Sequence, residues 1–419
     1  MRKNLWCDSM FCEFDTAWLV GAEVNAVFKL DFNTKKYKFI TGFPNSSMLD
    51  FRVNNLCMKV KDTLYFFPDT GTCIWIYDIK SESFTKIEID NPDKIRILIS
   101  MAFCIDNSIY AISSGLGQII EICVEKKEIV GMYPFHQYAK RSQIGSEGCI
   151  VGKNIYFTVP EENIICEFSS KTKEMKSFYL DGNLMPQTIS YLEDSFLLSG
   201  RTREIIRWNQ KDQILSSFPL PDSVGAFELV GSCFVENSNR SQYQKPLFRW
   251  SLNRKDKIWF IPYIANEIIY FDKRSNQICI CEIESEKENK ESWLSHEQVK
   301  YRFECVFMEK YIFIYSFKNK HYLAIDALTD EVQIINIELE NENDLEFSEL
   351  ILKECNKDGY FRESGFADIF DVLRVFNSKH EQCVSDVGDH IFQEIMDFSI
   401  IKFVPVPKFA GYGKAWLLR

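Results

Sequence analysis

The arginines are the residues with most to offer chemically. They make up fifteen of the 49 basic residues. Arg52, Arg96, Arg141, Arg249 and Arg302 sit in, or at the ends of, the polar stretches that join successive apolar runs. Arg201 and Arg203 share a further loop. A guanidinium is a planar fork of N–H donors that can grip a carboxylate or phosphate with two parallel bonds. Aromatic residues lie close by: Phe51, Phe135, Tyr138, Tyr243, Trp250 and Tyr301. The densest stretch, "YPFHQYAKRSQ" (Tyr133–Gln143), carries His136, Tyr138 and Arg141 together. The candidate ligand-binding set is therefore Arg52, Arg96, His136, Tyr138, Arg141, Arg201, Arg203, Arg249, Trp250 and Arg302, suited to an anionic or peptide ligand. The competing reading is that these arginines pair with local acids or backbone carbonyls.

Other chemistries find little support. The five histidines, His136, His296, His321, His380 and His390, show no metal-ligand spacing. HExxH, GxSxG and Walker motifs are missing. "GLGQ" (Gly115–Gln118) has neither a third glycine nor a following helix, so it reads as a turn rather than a phosphate cradle. No catalytic residue, metal ligand or cofactor is assigned. Paired-carboxylate hydrolysis stays open because acids are abundant, although no pair stands out. The 14 cysteines include no CxxC, and the CxC of Cys279 and Cys281 offers too few ligands for structural zinc. Cys57, Cys104, Cys149 and Cys305 read as small buried hydrophobes. The N-terminal "MRKNLWCDSMFCEF" lacks the apolar region of a signal peptide, and no run of about 18 apolar residues appears. The N-x-S sequences at Asn45 and Asn239 then carry no weight. A cytoplasmic, reducing location without membrane insertion is expected. A net charge of −11 and a pI near 5.2 argue against a nucleic-acid partner.

What positions the arginines is a repeat. Aromatic residues in apolar runs recur at Trp18, Tyr65, Tyr110, Tyr156, Phe196, Trp259 and Phe313, with gaps of 47, 45, 46, 40, 63 and 54. Thirteen residues after each comes a polar or small residue: Asp31, Asp78, Cys123, Ser169, Asn209, Asp272 and Asp326. Each unit reads as four strands separated by short polar turns, among them "NTKK", "KSES", "KRSNQ" and "ALTDE". A 46 % hydrophobic, 15 % aromatic composition supports a large core. With only 18 Gly, other residues must supply the turn chemistry. The two long gaps hold insertions between Phe218 and Leu252 and over Glu284–Gln298.

The pattern hydrophobic-aromatic-Phe-x-Pro followed by Ile-x-x-Phe-Asp-x-x-(Ser/Thr), as in "LYFFP" and "IIYFD", resembles blades of the broad β-propeller class. The resemblance covers roughly residues 9–340. The Trp-Asp dipeptide of WD40 blades and the Gly-Gly pair of kelch blades are absent, and no specific functional family is implied. The expected fold is all-β: a seven-bladed β-propeller of four-stranded antiparallel blades (1–340) with a short C-terminal α-helical extension (341–419). Two amphipathic helices are expected near 364–377 and 380–396, where Phe366, Ile369, Phe370 and Leu373 recur at helical spacing. "SIIKFVPV" (Ser399–Val406) or the N-terminal stretch would close the ring.

In such a ring the loops between second and third strands share one face with the connectors between blades. The arginines would gather there, around the channel mouth. The function expected is a non-enzymatic recognition or scaffold propeller that binds a peptide, protein, glycan-type or anionic ligand on that face. The alternative is a lyase or hydrolase at the channel mouth, which would show clustered carboxylates or histidines.

Overall fold

The computed structural model describes residues 7–21, 25–47, 50, 52–135, 144–211, 213–225, 245–283, 301–307, 311–316 and 321–339. The expected C-terminal helices and "SIIKFVPV" lie outside the described residues.

Seven antiparallel sheets succeed one another along the chain. Blade 1 comprises Cys7–Glu13, Thr16–Gly21, Ala26–Asp31 and Lys36–Gly42; blade 2 comprises Asn54–Val60, Thr63–Pro68, Cys73–Asp78 and Ser83–Glu88. Blade 3 runs from Ile99–Ile105 to Glu128–Pro134, and blade 4 from Gly148–Val151 to Met175–Tyr179. Blade 5 runs from Thr188–Leu192 to Gln213–Pro219, blade 6 from Phe248–Arg254 to Gln277–Cys281, and blade 7 from Tyr301–Phe307 to Val332–Ile335. First strands of neighbouring blades lie against one another at five of the seven junctions, including that of blades 1 and 7, so they form the inner circle and the ring is closed.

Second strands are buried almost throughout, as at Thr63–Pro68 and Lys257–Pro262, whereas fourth strands such as Ser83–Glu88 are mostly exposed. A middle strand is covered on both faces by flanking blades, which is why it reads as an unbroken run of aromatic and β-branched residues. The core is accordingly divided. Seven clusters of buried side chains each span one blade–blade interface. The repeated aromatic faces the following blade: Trp18 packs with blade 2, Tyr65 with blade 3, Tyr110 with blade 4, Tyr156 with blade 5, Trp259 with blade 7 and Phe313 with blade 1.

Blade 5 departs from the repeat. Phe196 packs toward blade 4, and the side chain facing blade 6 is Leu197. Its hairpin pairs Phe196 with Trp208, whereas blade 2 pairs Thr63 with Asp78. The second-to-third-strand unit is thus one residue shorter, and the true step is Leu197 to Asn209. One residue flips strand facing, so the apparent offset at Phe196 hides a slip.

The residue closing the third strand caps the turn that follows. Asp78 Oδ1 accepts from the backbone N–H of Lys80 (3.1 Å) and Ser81 (2.9 Å). Asp31, Asp272 and Asp326 make the same arrangement. Four residues after the third strand ends, Lys35, Glu82, Lys127, Lys173, Asn276 and Asp330 all have φ between 52° and 64°. These non-glycine left-handed positions explain how so many hairpins form with few glycines.

Blade 1 draws all four principal strands from the N-terminal end of the chain. Glu338–Leu339 then adds a short fifth strand, parallel to Lys36–Tyr37 on its outer edge. Of the closing elements expected from the sequence, the N-terminal stretch supplies the inner strand of blade 1 instead.

Cys57 is buried and Cys149 half-buried, as small core residues are, but Cys104 is exposed. It lies on an inner strand, which is less covered than the middle strands. The side chain of Cys305 is outside the described part.

Candidate functional site on the loop face

The two faces of the ring differ in kind. One carries tight hairpin turns whose charges pair within a blade, Lys80 with Asp62 (2.7 Å), Arg207 with Glu193 (3.1 Å) and Arg274 with Asp256, or between neighbouring blades, Lys153 with Asp106. The other carries the loops between second and third strands together with the connectors between blades.

On this second face a belt of backbone bonds stitches loops to connectors. Val53 O accepts from Asp69 N (2.9 Å) and Gly71 N (3.1 Å). Leu98 N donates to Asp69 O (3.1 Å), and Leu98 O accepts from Ser114 N (3.1 Å). Leu247 repeats the arrangement with Gly200 and Tyr263. Glycines permit the approach. A Cβ on Gly115 would lie 1.7 Å from Arg96 O, and one on Gly200 2.0 Å from Leu184 O. "GLGQ" is thus a contact for a neighbouring backbone, and its Gly117 sits at φ 64° in the turn.

Between blades 2 and 3 the belt holds a charged cluster. Asp69, in the loop after Pro68, is fully buried. Arg96 donates to its Oδ1 from Nε at 2.5 Å and also from Nη2. Arg52 approaches from the preceding connector, with Nε 3.5 Å from Oδ2. A buried carboxylate is costly unless paired and hydrogen-bonded, and two guanidiniums meet that need. Both stay partly solvated, with side chains 18 % (Arg52) and 33 % (Arg96) exposed. The backbone is strained around them: Arg52, Lys94 and Leu98 have φ of 52°, 52° and 40°. A left-handed conformation costs a non-glycine residue about 1–2 kcal/mol, and such strain tends to cluster at functional sites.

Beside Arg52 lies an amide pair. Asn54 is buried, with its Nδ2 only 3.5 Å from Asn25 Oδ1. The Oδ1 atoms of Asn54 and Asn55 are buried and have no hydrogen-bond partner among the described residues. Asn55 occupies a β-bulge at the loop-face end of its inner strand. Bulges recur at that end in blades 1, 3, 6 and 7.

The remaining candidates divide. Arg201 pairs with Glu161 (2.5 Å), and Arg203 donates to the carbonyls of Pro221 (3.1 Å) and Asp222 (3.3 Å). Arg249 is the bulge residue of blade 6 and belongs to a strand rather than a connector. Its guanidinium stacks 4.8 Å from the Trp250 ring and 5.7 Å from that of Tyr263. Lys245 approaches the same Tyr263 ring at 5.7 Å. Trp250 itself is buried between blades 6 and 7. Arg302 also lies in a strand, paired through its backbone with Tyr315. His136, Tyr138 and Arg141 lie outside the described residues. The structure thus brings Arg52 and Arg96 together on Asp69 and groups Arg249 with Trp250.

Sequence reasoning missed Asp69, Glu161, Asn54 and Asn55. The available signal for Asp69 was an acid directly after the strand-ending Pro68, where a strand would not place one. Among the described residues, no group of three or more His, Cys, Asp or Glu side chains is placed to hold a metal ion. No helix among them is long and apolar enough to cross a membrane.

No protein-family model matches the chain, and no curated protein matches it. Solved structures do. Virginiamycin B lyase from Staphylococcus aureus aligns at TM-score 0.50 and 14 % identity, over 75 % of this chain and 92 % of that one. A chain of the mitotic checkpoint complex gives 0.50 at 10 % identity, over 75 % and 84 %. U3-55K gives 0.50 at 10 % identity, over 75 % and 89 %. At these identities the likeness is one of fold, and the chain is a seven-bladed β-propeller.

Proposed function

We propose that this propeller is a recognition or scaffold module that binds a protein or peptide over its loop face. The asymmetry of the two faces carries the reading. The turn face is closed by short hairpins whose charges pair within and between blades. The loop face bears the long connectors and Arg52, Arg96, Arg201, Arg203 and Arg249. Loops on a rigid scaffold are where binding residues concentrate, and arginine and aromatic side chains are favoured anchors at interfaces. A cytoplasmic location is part of the proposal. It is supported by the ten cysteines whose side chains are described, all of them free thiols.

The test compares faces. Arg201→Glu on the loop face and Arg274→Glu on the turn face are used as baits beside the unaltered protein, and captured proteins are identified by mass spectrometry. A partner lost with Arg201→Glu and kept with Arg274→Glu supports the reading. Loss only with Arg274→Glu, or equal capture by all three, overturns it.

A further inference from the structure

We infer that Arg249 is the anchor for an acidic side chain, Asp or Glu, on a peptide segment of the partner. The inference rests on the loop-face reading and names one contact within it. Every other described arginine side chain has a carboxylate or carbonyl acceptor. Arg52 and Arg96 share Asp69, while Arg201, Arg207 and Arg274 each meet a Glu or Asp. Arg203 and Arg254 donate to backbone oxygens. Arg249 has neither kind of acceptor among the described residues; its contacts there are the Trp250 and Tyr263 rings, at 4.8 Å and 5.7 Å. In a chain with 60 acids against 49 basic residues, a guanidinium without an acid is the exception. No Arg249 nitrogen is both buried and without a hydrogen-bond partner, so its unpaired donors lie where solvent reaches them.

Local structure explains why this residue is left over. Arg249 is the extra residue of a bulge, between Phe248 paired with Pro262 and Trp250 paired with Ile261. An inserted residue has no cross-strand partner. Its neighbours Phe248 and Trp250 are buried in two different blade–blade interfaces, while Arg249 is half-buried. Both rings have fixed supports. Trp250 belongs to the core between blades 6 and 7. Tyr263 N donates to Leu247 O (2.8 Å), which also accepts from Ala265 N (3.0 Å). Contact between a cation and a ring holds the guanidinium without an acceptor oxygen. Its in-plane N–H donors are left to grip a carboxylate with two parallel bonds. Lys245, 5.7 Å from the same Tyr263 ring, brings a second positive charge. The long side chain is thus held before a ligand arrives, which lowers the cost of ordering it on binding. Arginine and tryptophan set together are the residue types that concentrate binding energy at protein interfaces.

The probe is a display library of short random peptides, selected for binding to the full chain. The selected peptides are expected to share an Asp or Glu, and changing it to Asn or Gln should weaken binding about tenfold or more. Arg249→Met keeps an apolar stem against the rings and removes the charge. It should weaken the same peptides to the same degree, and the two changes together should cost no more than either alone. Arg249→Lys keeps the charge and loses the fork; it is the second variant and should also weaken them. Arg274→Gln, on the opposite face, should leave affinity unchanged, and melting temperatures should stay near that of the parent. Selected peptides without a shared acid, either Arg249 variant binding as the parent does, or additive losses in the double change overturn the anchor. If the anchor fails while Arg201→Glu still abolishes partner capture, the loop-face reading stands without it.

Discussion

Lys173 Nζ lies 2.7 Å from Glu121 Oε1, and the two residues belong to different blades. Glu121, on the third strand of blade 3, also accepts from Tyr110 (2.9 Å), Tyr133 (2.6 Å) and Ser108 (3.0 Å). Lys173 comes from a turn of blade 4 and stands 4.9 Å from the Tyr110 ring. The same latch recurs with other chemistry. Gln210 of blade 5 reaches Glu167 of blade 4 at 2.8 Å, and Asp330 of blade 7 pairs with Lys257 of blade 6. A turn of each later blade thus clasps the blade before it.

The latch should depend on pH. Burial acts to raise the Glu121 pKa, but the bonds from Lys173, Tyr133, Tyr110 and Ser108 outweigh it, so the pKa falls below its ordinary value of 4.5. A depressed carboxylate contributes stability above its unfolded-state pKa and loses it as the pH drops through the folded-state value. For Lys173, burial acts to lower the pKa and the bonds to Glu121 and Tyr110 raise it on balance. Its contribution is present below the unfolded-state pKa and is lost as the pH rises through the raised value. Lys173→Met is expected to cost about 2 kcal/mol at neutral pH and to flatten the acid limb of the stability curve below pH 4.5. Urea unfolding from pH 3 to 8 would measure both; an acid limb unchanged in the variant would contradict the assignment.

Phe14 holds φ 53° in a hairpin turn and is 76 % exposed. A bulky side chain gains nothing there and carries the left-handed penalty. Phe14→Gly should stabilise the protein by about 1 kcal/mol, or roughly 2 °C in Tm. Calorimetry would detect this, and a lower Tm would count against it.

Two glycines should respond in opposite degree to alanine. A Cβ on Gly115 meets the Arg96 carbonyl oxygen, part of a backbone that cannot step aside, whereas one on Gly152 (φ 63°) meets open space. Gly115→Ala is expected to cost about 3 kcal/mol or more through strain. Gly152→Ala should cost only about 1 kcal/mol, for its backbone conformation alone. Equal losses in denaturant melts would refute this account of the belt.

At the seam between blades 1 and 7 the hydroxyls of Tyr37 and Tyr322 share a buried hydrogen bond. The Phe313 and Tyr322 rings stack beside it at 4.8 Å, and Phe32 meets Phe313 edge-on at 5.2 Å. A double-mutant cycle of Tyr37→Phe and Tyr322→Phe should give a coupling of about 1 kcal/mol. Additive single effects would show that the hydroxyls act separately.

A chain ended at Leu339 should keep the seven-bladed fold, because the four strands of each described blade precede that residue. Circular dichroism and gel filtration would test this, with aggregation as the contrary outcome.

The blades were legible in the sequence because a repeated turn leaves a repeated mark. A third strand ending in Asp or a small polar residue, with a left-handed residue four positions later, recurs at nearly constant spacing. Blade 5 misled because a one-residue contraction moved Leu197 into the place of the expected aromatic, and Phe196 stood next to it. Glu121 and Lys173 were not legible: a glutamate and a lysine on a strand and a turn look like surface charges until two blades are juxtaposed. Asp69 was hidden for the same reason, since its partners Arg52 and Arg96 come from opposite sides of its blade. Ring closure by Glu338–Leu339 left no mark because two residues carry no periodicity.

Because blade 1 is built from one continuous stretch, every sheet can form from neighbouring segments as synthesis proceeds. Among the described residues, the final seam joins groups as distant as Tyr37 and Tyr322, 285 residues apart. Folding then becomes a row of quick local steps followed by one slow long-range closure. The finished ring behaves as a split washer, and hydrogen exchange should find its first opening between the first and last blades.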